Sequence, residues 1–281
     1  MDKKELTSLL VEGFHACPGN VIAPEIALSS DVSGLTLFEE PLVGFGAADD
    51  PLFLTYQQMG VVGPWHWLPE DWLPGAKTVI SLFFPFTEDI KSRERACSGW
   101  HTSEAWLHGR VEGQDFLASC LGRLCGILEE AGLKACAPSI DGRFCRTVGG
   151  QDMPGFPGVS RDAYGSNWSE RHVAYLCGLG TFGLSKGIIT EKGMAGRFGS
   201  IIIDLPLEAD ERPYTGLYDY CINCGACIAR CPAEAITAEG KNHVPCHRRM
   251  DKSRVDYAPR YGCGKCQTAV PCESRNPTRA K

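Results

Sequence analysis

Cys221-Ile-Asn-Cys224-Gly-Ala-Cys227-Ile-Ala-Arg-Cys231-Pro232 is the stretch that decides how the rest of this chain is read. Its spacing is C-x2-C-x2-C-x3-C-P, the bacterial iron–sulfur run. Three thiolates two residues apart can wrap a tight loop around three corners of a cubane. Small Gly225 and Ala226 let backbone N–H groups approach the sulfurs. The fourth cysteine opens a helix, and Pro232 suits a helical first turn. In two-cluster proteins that fourth cysteine ligates the other cluster.

Further ligands follow. Cys246 stands alone, Cys263-Gly-Lys-Cys266 forms a pair, and Cys272 closes a set of eight. We assign Cys221, Cys224, Cys227 and Cys272 to one [4Fe-4S] cluster. Cys231, Cys246, Cys263 and Cys266 then take the second. C-x2-C pairs also suit tetrahedral zinc, but three cysteines at this spacing followed by C-P favour iron–sulfur. Seven other cysteines (17, 97, 120, 125, 136, 145 and 177) lack ligand spacing. Cys120 and Cys125 fall on an apolar helical pattern and read as small core residues. Cys145 and Cys177 flank glycine-rich loops.

The chain has 281 residues, 43% apolar and 22% charged, enough for one large domain or two ordinary ones with a sizeable core. A net charge of −6 excludes a general nucleic-acid binder. The charge is uneven. Residues 241–281 hold ten Lys/Arg against three Asp/Glu, whereas residues 1–240 hold 18 against 31. We place a boundary between Asp210 and Asp219, dividing an α/β body (1–212) from a ferredoxin-like segment (213–281). Arg248, Arg249, Lys252 and Arg254 either neutralise the clusters or dock an anionic partner or substrate. The longest apolar run, Val79 to Phe86, is too short to span a membrane, and no apolar leader follows Met1. The expected location is a reducing cytoplasm, where ligand chemistry is a better default than disulfides.

Asp2 and Glu5 have capping-box spacing ahead of a helix over about 3–15. Residues 19–75 carry no clear order. Thr78 to Phe86 reads as a buried strand. Ser103 opens a long helix ending near Gly132, with Leu117, Leu121, Leu124 and Leu128 in one stripe. Residues 134–140 read as a strand, 149–165 as a loop and Ser169 to Cys177 as a short helix. Strands at 187–190 and 200–204 are expected to join around Lys192-Gly193. The order argues for an α/β (α+β) fold.

Roughly 210 residues ahead of the clusters are too many for a plain ferredoxin. They show no radical-SAM triplet, no Walker loop and no D-x-H-x-x-G. Gly178-Leu-Gly180-Thr-Phe-Gly183 follows a helix, which weakens a Rossmann reading. Glu170-Arg-His-Val-Ala-Tyr-Leu-Cys-Gly-Leu-Gly-Thr-Phe-Gly183, Ile188-Ile189 and Tyr261-Gly-Cys-Gly-Lys-Cys-Gln267 together resemble epoxyqueuosine reductase and its relatives, the reductive dehalogenases. The resemblance covers about residues 160–272. It implies a nitroreductase-like, corrinoid-type body, base-off cobalamin and two [4Fe-4S] clusters. Gly178, Gly180 and Gly183 would then admit the macrocycle, with Ser185, Lys186 and Ser200 touching its amides and phosphate. It also implies a proton donor six residues before Glu170. That position is Tyr164, with Asp162 two residues earlier. Reductive dehalogenases use a tyrosine there, whereas epoxyqueuosine reductases use an acid. A tyrosine serves only where the acceptor is strongly basic, such as a carbanion.

Two functions compete at this stage. One is a reductase that passes electrons from an external ferredoxin or flavodoxin through both clusters to cobalamin and a small substrate. The other is an electron-transfer or activating protein that reduces a corrinoid protein or other metalloenzyme. The overall acidity and the absence of a helical-repeat extension argue against tRNA as substrate. His247, beside Cys246, is placed to tune a cluster. His172 reads as structural.

Overall fold

The computed structural model describes residues 1–148, 150–153, 155–160 and 164–279. In chain order the elements begin α1 (Lys3–His15), β1 (Leu42–Ala47), α2 (Leu52–Tyr56), α3 (Pro69–Trp72), β2 (Thr78–Pro85), α4 (Glu88–Ala96), α5 (Glu104–Arg110) and α6 (Glu112–Glu130). They continue β3 (Ala135–Cys136), β4 (Arg146–Val148), β5 (Asp152–Met153), β6 (Phe156–Ser160), β7 (Tyr164–Ser166), α7 (Glu170–Leu176), β8 (Gly180–Phe182), β9 (Ile188–Thr190) and β10 (Gly196–Ile203). The last are α8 (Ala226–Ala229), β11 (Ile236–Thr237), β12 (Gly240–Lys241) and α9 (His243–Asp256).

The central sheet is antiparallel in the order β1-β2-β10-β3. All eight residues of β2 are buried. Alternation explains why: successive side chains point to opposite faces, and both faces are covered. Ile80, Leu82 and Phe84 pack with Leu6 and Leu10 of α1 and the leucine stripe of α6. Val79 packs on the other face with Phe53, Trp72, Trp168 and Val173. The α1 capping box closes as its spacing predicts, with Asp2 and Glu5 side chains each accepting the other's backbone N–H at 2.9 Å.

Four expectations change. The helix from Ser103 breaks at Val111, where ψ falls to −69°, with low-propensity Gly109 and Gly113 on either side. The strand expected at 134–140 is two residues long and gives way to a 3-10 turn over Pro138–Ile140. β9 pairs with β8, not with β10, and β10 joins the central sheet. The expected loop at 149–165 holds two-residue to five-residue strands, of which β7 pairs with β4.

The cysteine-bearing segment is fastened to the body at several points. Lys265 and Glu94 form an ion pair at 2.7 Å, with side chains 2% and 0% exposed. The same Glu94 carboxylate accepts from the backbone N–H of Gly264 and of Ser103. Arg260 pairs with Glu112, and Arg95 pairs with Glu273. A buried charge left alone costs far more than the pair gains by forming. Glu94→Ala should therefore lower stability by roughly 3–5 kcal/mol, read from the urea midpoint of anaerobic protein. A loss below about 1 kcal/mol would show that Lys265 finds another partner.

Candidate metal centres and cavity

Four of the eight tail cysteines, Cys221, Cys224, Cys227 and Cys272, line one narrow cleft of about 20 Å³. The loop that carries the first three turns through left-handed Asn223 (φ 50°) and Gly225 (φ 72°) before entering α8. It is tied to β8 by Tyr220 N–H donating to Thr181 Oγ1 and by Phe182 N–H donating to the Leu217 carbonyl. Cys272 arrives from the far end of the chain. Its carbonyl accepts from Met194 N–H at 2.9 Å, and its Sγ lies 3.3 Å from Met194 Sδ.

The other four, Cys231, Cys246, Cys263 and Cys266, line a second and larger cavity of about 1000 Å³. Cys246 projects from α9, whose start is capped by Asn242 accepting from Val244 N–H at 2.9 Å. Cys231 Sγ accepts from Ala235 N–H at 3.3 Å. Cys263 and Cys266 sit on the turn that Glu94 fastens.

Two thiols of each set are poor acids as they stand. Burial, then Cys227 and Cys221 nearby, pushes the Cys272 thiol up to about 12. Burial, then Cys266 and Cys221, pushes Cys227 up to about 11. Burial raises Cys263 to about 11 and also raises Cys266. Four such groups ionise together only around a core positive enough to absorb their charge. The donor set, sulfur on every side with like-charge neighbours, fits an iron–sulfur core.

Val61, Val62, Phe86, Trp106 and Phe144 give the larger cavity an apolar wall. The same cavity is lined by Arg110, Arg146, Arg171 and Arg197, contributed by α5, β4, α7 and β10. Tyr261 is stacked against two guanidiniums, with Arg110 at 4.6 Å and Arg254 at 4.3 Å from its ring. Burial, then the neighbouring Arg110, drives Arg197 well below the ordinary arginine range. These arginines escaped the sequence reading because they are scattered over nearly ninety positions. One signal was available: Arg197 is a cation within a strand whose later residues, Ile201 to Ile203, are wholly apolar.

Tyr164 lines the same cavity and is 39% exposed. Its ring is edge-on to His247 at 5.3 Å and to His243 at 6.1 Å. Burial, then Cys246, raises its phenol, with Lys241 and Arg254 opposing. Asp162 lies outside the described residues. His247 Nε2 contacts Asp251 at 3.3 Å. His172 is held by Ser169 Oγ at 2.7 Å, and burial lowers it to about 4.

The six residues expected to cradle a macrocycle lie elsewhere. None of Gly178, Gly180, Gly183, Ser185, Lys186 and Ser200 is among the residues lining the larger cavity. Gly178 closes α7 at φ +79°. Gly180 permits the β8–β9 approach, since a Cβ there would stand 1.9 Å from the Ile189 carbonyl oxygen. Gly183 and Ser185 line the smaller cleft beside Cys221 and Cys272. Lys186 donates to Tyr218 Oη at 2.7 Å. Ser200 is buried in the sheet, accepting from Trp168 Nε1 at 2.9 Å. Gly180 thus serves close backbone packing between β8 and β9.

Comparison with known proteins agrees with this arrangement. The 4Fe-4S binding domain family matches residues 217–237, which include Cys221, Cys224, Cys227 and Cys231. An epoxyqueuosine reductase of Leadbetterella byssophila is 32% identical over 36% of this chain and 36% of its own length. One of Staphylococcus aureus is 32% identical over 37% of this chain and 29% of its own. A trichloroethene reductive dehalogenase of Dehalococcoides mccartyi is 29% identical over 34% of this chain and 18% of its own. The matched region thus spans about a third of the curated epoxyqueuosine reductases or less. In structure, a selenomethionine-labelled epoxyqueuosine reductase aligns with 96% of this chain and 66% of its own, at a TM-score of 0.53 and 19% identity. An epoxyqueuosine reductase with a tRNA stem loop covers the same shares at 0.51 and 16%. The chain is thus similar in sequence to epoxyqueuosine reductases and a reductive dehalogenase over about a third of its length, and similar in fold to epoxyqueuosine reductase over nearly all of it.

Proposed function

We propose that the chain is an iron–sulfur reductase that carries electrons inward through two [4Fe-4S] clusters to a small-molecule substrate in the larger cavity. The observation that carries this reading is the sorting of eight cysteines into two sets of four, one at a small cleft and one at the wall of a large cavity. Cys221, Cys224, Cys227 and Cys272 would hold the outer cluster. Cys224 and Ile222 are exposed there, as docking by an external low-potential donor requires. Cys231, Cys246, Cys263 and Cys266 would hold the inner one. Cys227 of the first set and Cys266 of the second are near enough for Cys266 to raise the Cys227 thiol, so the path between clusters is short.

Cobalamin fits this cavity by size, by its apolar wall and by donors without hydrogen-bond partners, Arg249 Nε and Nη1. Where bound, it supplies a cobalt centre able to pass electrons at low potential to a carbon–heteroatom bond. Val61, Val62, Phe144 and Trp106 would hold it. The chain's own side chains do the rest. Tyr164 (or Asp162, two residues earlier) would hold the proton delivered to the reduced substrate. The raised phenol keeps that proton until a strongly basic carbanion forms. Lys241 hydrogen-bonds Cys246 and offsets charge at the inner cluster.

Anaerobically isolated protein should contain about eight irons per chain. Cys231→Ala and Cys224→Ala should each reduce this to about four. Zinc in place of iron, measured by metal analysis, would refute the assignment. Adding hydroxocobalamin to the iron-loaded protein should move its visible spectrum to that of the base-off form, and an unshifted spectrum would remove cobalamin from the scheme. Tyr164→Phe should keep both properties and slow viologen-driven substrate reduction by about 10²–10⁴-fold. Unchanged turnover would move the proton donor elsewhere.

A further inference from the structure

Six arginines and two lysines line the larger cavity, and among the described residues no Asp or Glu does. This occurs in a chain whose net charge is −6. Four of the cations have local partners. Lys265 pairs with Glu94, Arg254 pairs with Asp251, Lys241 bonds Cys246, and Arg249 stacks on Trp100 at 5.0 Å. The other four, Arg110, Arg146, Arg171 and Arg197, make no ion pair with a carboxylate among the described residues. Arg110 only stacks on Tyr261, and Arg197 spends one Nη2 proton on the Arg110 carbonyl while its buried Nε has no acceptor.

Gathering unpaired guanidiniums on one wall costs energy that a structural role does not return. An oxidised four-thiolate cluster carries about two negative charges, and Lys241, Arg249 and Arg171 itself lie close enough to the inner cysteines to act on their thiols. With Arg171, Arg110, Arg146 and Arg197 line the open cavity. Guanidinium forks match carboxylate and phosphate oxygens two at a time, and they do so best where water is partly excluded. We propose that Arg110, Arg146, Arg171 and Arg197 bind a multiply anionic head of the substrate, carrying two or more carboxylate or phosphate groups. The inference rests on the reductase reading only in calling that ligand a substrate. A corrinoid's single phosphodiester would balance one of the four charges and leave the rest.

Inorganic pyrophosphate and citrate are the probes, titrated calorimetrically into anaerobic, iron-loaded full-length protein at fixed ionic strength, with acetate as the monovalent control. Pyrophosphate or citrate should bind, and acetate should not. Arg171→Gln and Arg197→Gln should each weaken binding about tenfold or more with iron content unchanged. Arg146, exposed at the rim, supplies a variant that does not disturb the core, and Arg146→Gln should weaken binding in the same direction. No binding of either probe to the unaltered protein, or equal binding by all three variants, overturns the proposal. Pyrophosphate should also bind in the presence of hydroxocobalamin. Its displacement by hydroxocobalamin but not by dicyanocobinamide, which lacks the phosphodiester, would assign the arginines to the cofactor tail and overturn the substrate head. Iron analysis of the same samples reads the cluster assignment separately, so a failure there is not confused with a failure here.

Discussion

Eight sulfurs from distant parts of the chain can meet only if the segment beyond residue 257 is held against the body. Glu94 is the residue that holds it. Its two oxygens take the Lys265 ammonium and two backbone N–H groups, all in a dry environment. The Cys263–Cys266 turn therefore has one position. The Cys272 turn is fixed in the same way, with the Glu273 and Cys272 carbonyls both accepting from Met194 N–H. The sheet matters to the site chiefly as the rigid base from which these fastenings are made. β10 supplies Arg197 and Gly196 to the cavity, while its far end fills the core.

What could be read in the sequence was what depends on local spacing. The C-x2-C-x2-C-x3-C run, the α1 capping box and the continuous apolar strand at β2 each state their structure within a dozen residues. The division of the cysteines into two sets of four extends that reading and belongs to the proposed function. Long-range pairing could not be read. β9 was matched with its sequence neighbour β10, yet the β8–β9 hairpin captures it, because Gly180 allows the two backbones to approach. The helix break at Val111 was hidden by an unbroken leucine stripe in α6, since periodicity reports the buried face and not the backbone angle at one residue.

The same limit explains the glycine-rich stretch. Gly178, Gly180 and Gly183 have the composition of a loop that admits a ligand. Composition cannot distinguish close approach to a ligand from close approach to another strand, and at Gly180 the Ile189 carbonyl occupies the space. The arginine wall was missed for the converse reason. Its members come from four elements and make no motif, so only folding makes them neighbours.

Charge links the cavity to the chemistry proposed for it. Each electron delivered through the inner cysteine set adds negative charge to a space lined by low-dielectric walls, where Coulomb terms are large. A cavity bordered by carboxylates would resist that charge. A cavity bordered by guanidiniums favours both the arriving electrons and an anionic ligand beside them. The cationic wall also bears on Tyr164. Lys241 and Arg254 pull its phenol downward against burial and Cys246, yet the net shift is upward. The tyrosine thus keeps its proton at rest, and it would release it only to a base strong enough to arise after reduction. On this view the field of the cavity orders the events: charge accumulates first, and proton transfer follows.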